Sequence, residues 1–102
     1  MGNLAVDFPW DYAHVDDDLV VCSHRCVLHT VVINRCDTGA TYATVYDGVD
    51  NTGDIIAIID VDNGKDHYVL PVTLFYDVQC VTGIFVEFSQ GNTQGDLTVT
   101  YK

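Results

Sequence analysis

Basic residues are nearly missing from this chain of 102: Arg25, Arg35, Lys65 and Lys102 stand against fifteen acids, and the formal net charge is -11. A surface of that sign repels phosphate backbones, so the expectation is a protein that does not bind nucleic acid directly. Glutamate is nearly missing too, since Glu87 is the only acid that is not aspartate. Aspartate favours turns and loop caps over helix interiors, so the acids mark loops. No stretch keeps apolar residues at i, i+3 and i+4 between caps, which predicts little or no helix. No apolar run approaches the roughly 18 residues of a membrane span. The start, Met1-Gly2-Asn3-Leu4, lacks the basic region of a signal peptide, and the expectation is synthesis in a cytoplasm with no membrane partner.

Catalytic signatures are missing as well. The chain contains no G-x-S-x-G, no H-E-x-x-H and no phosphate-cradling glycine loop. Ser23 and His24 are neighbours in sequence, and on a strand they would point to opposite faces, out of hydrogen-bond reach. A single glutamate and a domain too small for a deep cleft argue against paired-carboxylate glycosidase chemistry. The chain is expected to be no enzyme and to carry no cofactor.

What is present is β-forming. Hydrophobic residues make up 48% of the chain. A domain of this length removes roughly two-thirds of its unfolded surface from water, enough for one modest core. Residues 1–18 hold Phe8, Pro9, Trp10 and Tyr12 among acids without sustained periodicity, and read as an extended N-terminal arm whose aromatic surface docks on its own domain or on a neighbour. From Leu19 to Lys102 the pattern is that of a single antiparallel β-sandwich domain. Leu19–Cys22 and Val27–Ile33 are rich in branched residues, and the second is apolar on both alternating faces. Thr41–Tyr46, an Asp47–Asp54 loop and the dense run Ile55–Ile59 read as strand, turn, strand, the last too apolar on both faces to meet water. His67–Tyr76 is extended, and Pro71, which has no N–H for a ladder, makes it an edge strand or breaks it. Gly83–Phe88, a Ser89–Asp96 turn and Leu97–Tyr101 read as the clearest hairpin. Short strands about every ten residues with Gly/Asp turns characterise sandwiches and barrels.

Two clusters resemble metal sites. Cys22, His24, Cys26, His29 and Cys36, with Cys80 farther on, are soft ligands. Yet residues four apart on a strand stand roughly 13 Å from each other, too far to share a tetrahedral ion, so no metal is expected. A later disulfide is allowed, with three complete pairings open to four cysteines. The acidic loops 47–54 and 60–66 carry Asp and Asn in calcium-like density but lack the ligand order of a helix–loop–helix site, and read as turns.

The run Ala43-Thr-Val-Tyr46-Asp47-Gly48, a polar loop, Ile55–Ile59, then Gly83-Ile-Phe-Val-Glu-Phe88 before Leu97-Thr-Val-Thr-Tyr101 resembles small virion structural proteins of tailed bacteriophages. The resemblance spans about Val20 to Tyr101. It implies a jelly-roll-like sandwich that decorates or cements a capsid shell, found on the virion surface and made in the host cytoplasm. Its partners would be the major capsid protein and further copies of itself, as a trimer. Ile56, Ile58 and Phe85 would then serve contacts between subunits, and Phe8, Trp10 and Tyr12 an anchoring arm. The four cysteines and the aromatic arm depart from that pattern. Two other readings remain: a carbohydrate- or receptor-binding module of a tail or fibre using Tyr42, Tyr68 or Tyr76, and a head–tail connector.

Overall fold

The computed structural model describes residues 10–36, 42–61, 69–89 and 95–102. Among these residues the chain is all-β without helix: β1 (Asp11–Val15), β2 (Leu19–Cys22), β3 (Cys26–Arg35), β4 (Tyr42–Asp47), β5 (Asp54–Asp60), β6 (Val72–Cys80), β7 (Ile84–Phe88) and β8 (Asp96–Tyr101). They form two antiparallel sheets of four, ordered β1-β8-β3-β6 (sheet A) and β2-β7-β4-β5 (sheet B). Packed face to face, the sheets make a β-sandwich. The pairing is nested: first strand with last, second with seventh, third with sixth, fourth with fifth. Only β4 and β5 are both consecutive and paired. Every other connection carries the chain from one sheet to the other.

The alternation of side chains explains which face each strand turns inward. Val15, Leu28, Val31, Ile33, Leu97 and Val99 of sheet A meet Ala43, Val45, Ile59, Ile84, Val86 and Phe88 of sheet B in one buried cluster. Full burial of each large aliphatic in that layer contributes about 1.5–3 kcal/mol before entropy is counted. β3 carries an extra residue between Leu28 and Thr30 relative to β8. This bulge at His29 resets the alternation, so that Leu28 and Val31, three apart, both point into the core. The sequence reads as apolar on both faces because of that reset.

Three expectations differ from the structure. Residues 11–15 of the expected arm are β1, an edge strand paired along its whole length with β8. Only Ala13 and Val15 face inward there, too few to stand out among acids and aromatics. The expected hairpin of residues 83–88 with 97–101 does not exist: β7 lies in sheet B between β2 and β4, and β8 in sheet A between β1 and β3. Two alternating runs joined by a Gly-rich turn satisfy the hairpin pattern without having to pair. Finally, β6 begins just past Pro71, as an edge strand should, but runs on to Cys80. Its inward residues are Val72, Leu74, Tyr76 and Val78, and Asp77 sits within it at φ 52°, a left-handed conformation absorbed by the bulge opposite His29.

The Asp47–Asp54 loop is a turn, as read. The Asp47 carboxylate accepts hydrogen bonds from the backbone N–H of Val81 (2.9 Å), Thr82 (2.8 Å) and Gly83 (3.3 Å), tying the β4–β5 turn to the β6–β7 connection. Burial raises the pKa of this carboxyl, but the three N–H donors outweigh it and hold it below the ordinary aspartate value. Asp50 accepts from the Thr52 N–H at 2.9 Å and from its hydroxyl, closing the tip. The second acidic loop, 60–66, lies mostly outside the described residues.

Candidate functional site

The outer face of sheet B is built by register. Val20 of β2 stands opposite Phe85 of β7, Phe85 opposite Tyr46 of β4, and Tyr46 opposite Ile55 of β5. Directly opposed residues of neighbouring strands share a face, so these four side chains make one row across all four strands. Their neighbours Val45, Ile84 and Val86 are buried between the sheets, which places the row on the far side. The rings of Tyr46 and Phe85 lie 5.9 Å apart, and the Tyr46 hydroxyl donates to Glu87 at 3.3 Å. Burial, and then the Glu87 charge, push the Tyr46 phenol above its usual pKa. Ile55 is 57% exposed and Val20 42%. One residue pair along, Ile58 (60% exposed) faces Thr44, and Thr44 faces Glu87. The result is an apolar band with Glu87 beside it, exposed at Val20, Ile55 and Ile58, half-buried at Phe85 and buried at Tyr46.

The outer face of sheet A carries a second cluster. Trp10, just ahead of β1, lays its indole on the imidazole of His29 in β3, with centroids 3.9 Å apart and planes 6° from parallel. His29 Nδ1 and Asp77 Oδ1 of β6 are hydrogen-bonded at 2.5 Å, and Phe75 meets the His29 ring edge-on at 6.0 Å. Phe75 is 70% exposed. At the opposite end of this sheet His14 is bonded to Asp96 at 2.6 Å, and Asn34 donates to Asp96 at 2.9 Å. The bond to Asp96 and its charge raise the His14 pKa. Burial raises that of Asp96, but His14 and Asn34 overcome it and leave it lowered.

A third group lies at the end of the sandwich. Residues 23–25 are a bend and no strand, so Cys22, closing β2, and Cys26, opening β3, are brought into contact instead of being held roughly 13 Å apart. Cys26 also touches Cys80, its directly opposed residue on β6. The three thiols thus form a row with Cys26 in the middle. Burial, reinforced by Cys22, pushes the Cys26 thiol up to about 12, and burial raises Cys80 as well. The His24 ring lies beside Cys22, its nitrogens 3.6 and 3.7 Å from Sγ. Among the described residues no group of three or more His, Cys, Asp or Glu side chains is arranged to hold a metal ion.

The residues expected to make contacts fall into different places. Phe8 lies outside the described residues. Tyr12, 75% exposed, and Trp10, 36% exposed, belong to sheet A's outer side. Ile58 and Phe85 share the outer face of sheet B. Ile56 does not join them: it sits in the bulge between Val45 and Tyr46 and packs against the protein's own core. Of the three tyrosines weighed for sugar stacking, Tyr42 is 49% exposed, Tyr76 packs inward, and Tyr68 is outside the described residues. Phe75 and Asp77 on one face and Val20, Tyr46 and Ile55 on the other are not among the contact residues expected from sequence, and His29 is read there only as a soft metal ligand. A histidine in the middle of an aliphatic strand was the one available signal for the first group.

No family model, curated protein or solved structure matches this chain.

Proposed function

We propose that the chain is a virion structural protein of a tailed bacteriophage, a capsid decoration or cement protein without catalytic activity, that binds the outer shell and self-associates as a trimer through the outer face of sheet B. The observation that carries this reading is the apolar row Val20–Phe85–Tyr46–Ile55 with Ile58 beside it. A partly exposed apolar band of that kind on a small acidic domain has the composition of a contact surface, apolar at its centre and charged around it. The nested pairing of eight strands, first with last through fourth with fifth, supports the jelly-roll-like sandwich that the resemblance to phage coat components implies. The net charge of -11 suits an outward surface that avoids packaged DNA and leaves apolar contact to hold the copies together.

Light scattering after size exclusion tests the reading. The protein is expected to run as an oligomer that tightens as added salt screens the acids, and to add to shells lacking it. Phe85→Lys is expected to yield a folded monomer. A wild-type protein that stays monomeric at all salt concentrations and never adds to shells overturns the proposal.

A second reading, a carbohydrate- or receptor-binding module of a tail or fibre, is favoured by the outer face of sheet A. There Trp10 and Phe75 flank His29 and Asp77, an aromatic platform with a carboxylate at hand for sugar hydroxyls. A glycan array on which the wild type binds and Trp10→Ala does not would favour it over shell binding.

A further inference from the structure

We infer that Cys22, Cys26 and Cys80 constitute a thiol–disulfide exchange site, in which Cys22 attacks a small-molecule disulfide and the exchange ends in a Cys26–Cys80 bridge. The inference is independent of the proposed function and rests on the strand register.

Cys26 and Cys80 are directly opposed on neighbouring antiparallel strands, and both side chains are buried in the core. The kind of opposition follows from the next residue. Val27 exchanges both its backbone hydrogen bonds with Lys102, on the β8 side, at 2.9 and 3.0 Å. Backbone groups alternate in direction along a strand, so those of Cys26 point to β6 and the Cys26–Cys80 pair is of the hydrogen-bonded type. Such pairs have Cα atoms about 5.5 Å apart, within the most populated range for disulfides. Side chains in such pairs stand farther apart than in the other kind, so a bridge draws edge strand β6 in towards the centre of sheet A and ties it there. Cys36 cannot compete, because it lies past the far end of β3, a strand of ten residues and so about 30 Å long.

Cys22 is buried as well, 5% exposed, and differs in its chain neighbours. Its neighbours Ser23, His24 and Arg25 are exposed, and its Sγ lies within reach of the His24 ring. The Cys22 thiol donates to the His24 carbonyl at 3.4 Å; His24 Nδ1–H donates to the Arg25 carbonyl at 3.0 Å, which leaves Nε2, 3.7 Å from the sulfur, as the nearby nitrogen free to take the proton when the thiol turns. All three thiols are buried, and Cys22 is the one whose chain neighbours on the bend are all exposed, so a reagent arriving over residues 23–25 reaches it first.

The exchange balances in three steps. Cys22 thiolate attacks the reagent disulfide, forms a mixed disulfide and releases one reagent thiolate, which takes up the proton held by His24. Cys26 then attacks Cys22 Sγ, gives up its proton and expels the second reagent thiol. Cys80 finally attacks Cys26 Sγ, and Cys22 leaves, taking the Cys80 proton. In total two protein thiols become one disulfide, the reagent disulfide becomes two thiols, and Cys22 ends as it began. In a reducing compartment the trio stays reduced. Transfer to an oxidising one locks the sheet.

The test is to incubate reduced, folded protein with oxidised glutathione, quench by alkylation and map linked peptides by mass spectrometry. The expected product joins the Cys26 and Cys80 peptides, leaves Cys22 and Cys36 alkylated, and raises the melting temperature by roughly 10 °C or more. Cys22→Ser is expected to slow the bridge by at least roughly tenfold without changing its connectivity. Four alkylated cysteines after prolonged oxidation of wild type overturn the inference, and so does a final Cys22–Cys26 bond. An undiminished rate in Cys22→Ser overturns the role of Cys22.

Discussion

The imidazole of His29 lies flat on the indole of Trp10, 3.9 Å away and 6° from parallel, although the two residues belong to segments separated in sheet A by β8. The stack fastens the segment ahead of β1 across the sheet, and Asp77, on the far strand, holds the imidazole from its other side. Trp10 is the protein's single tryptophan, so its fluorescence reports this contact alone. His29→Ala is expected to shift the emission to the red and to lower stability by about 1 kcal/mol, the size of one aromatic pair, in urea titrations. Unchanged emission would mean that the indole is held by something else.

Asp47 fastens the two loops at one end of the sandwich through three N–H groups. Asp47→Ala is expected to cost about 1–3 kcal/mol, and Asp47→Asn less, since the amide oxygen still accepts. The pH dependence follows from the direction of its shift. A carboxyl whose folded pKa lies below the ordinary aspartate value of 3.8 stabilises above that value and loses its contribution as pH falls through the folded pKa. Acid unfolding of Asp47→Ala should therefore show a shallower loss below pH 3.8 than the wild type.

Gly83 stands where no side chain fits. A Cβ there would come within 2.3 Å of the Cys22 carbonyl oxygen and 3.0 Å of that of Gly48. Both obstacles are backbone, so the strands must part. Gly83→Ala is expected to lower stability by about 2–3 kcal/mol in denaturant titration, with slowed or incomplete folding at higher temperature.

The His14–Asp96 pair sets a second pH window. The folded pKa of His14 is raised above 6.5, so its contribution is complete below that value and lost as pH rises through the folded pKa. That of Asp96 is lowered below 3.8, so its contribution is present above that value and lost as pH falls through the folded pKa. The pair therefore helps most between about pH 3.8 and 6.5. Asp96→Asn is expected to bring the His14 titration, followed by NMR, down towards 6.5, and to lower the melting temperature more at pH 5.5 than at pH 9. Equal losses at both would remove the ionic role.

Ile56 and Ile58 look alike in sequence and part in the fold. Ile56→Lys places a charge against the core and is expected to cost about 2–4 kcal/mol. Ile58→Lys, at a position 60% exposed, should change monomer stability by less than about 0.5 kcal/mol while weakening self-association. Denaturant titration at low concentration, paired with light scattering, separates the two effects.

By itself the sequence determined that this is an all-β chain, where most strands lie, that 47–54 is a turn, and that Pro71 borders an edge strand. These are local properties, carried by side-chain alternation, β-branched residues and the needs of tight turns. Tertiary structure alone decided the rest. Strands pair through backbone groups that are the same for every residue, so residues 97–101 lie beside β1 and β3, far away in the chain, and not beside the preceding strand. Bulges decided which isoleucine faces the core, because one extra residue exchanges the faces of everything after it. The bend at residues 23–25 decided that Cys22 and Cys26 touch, and the register of β3 with β6 placed Cys80 next to them. None of these separations is written in local periodicity, since each depends on where the other sheet ends.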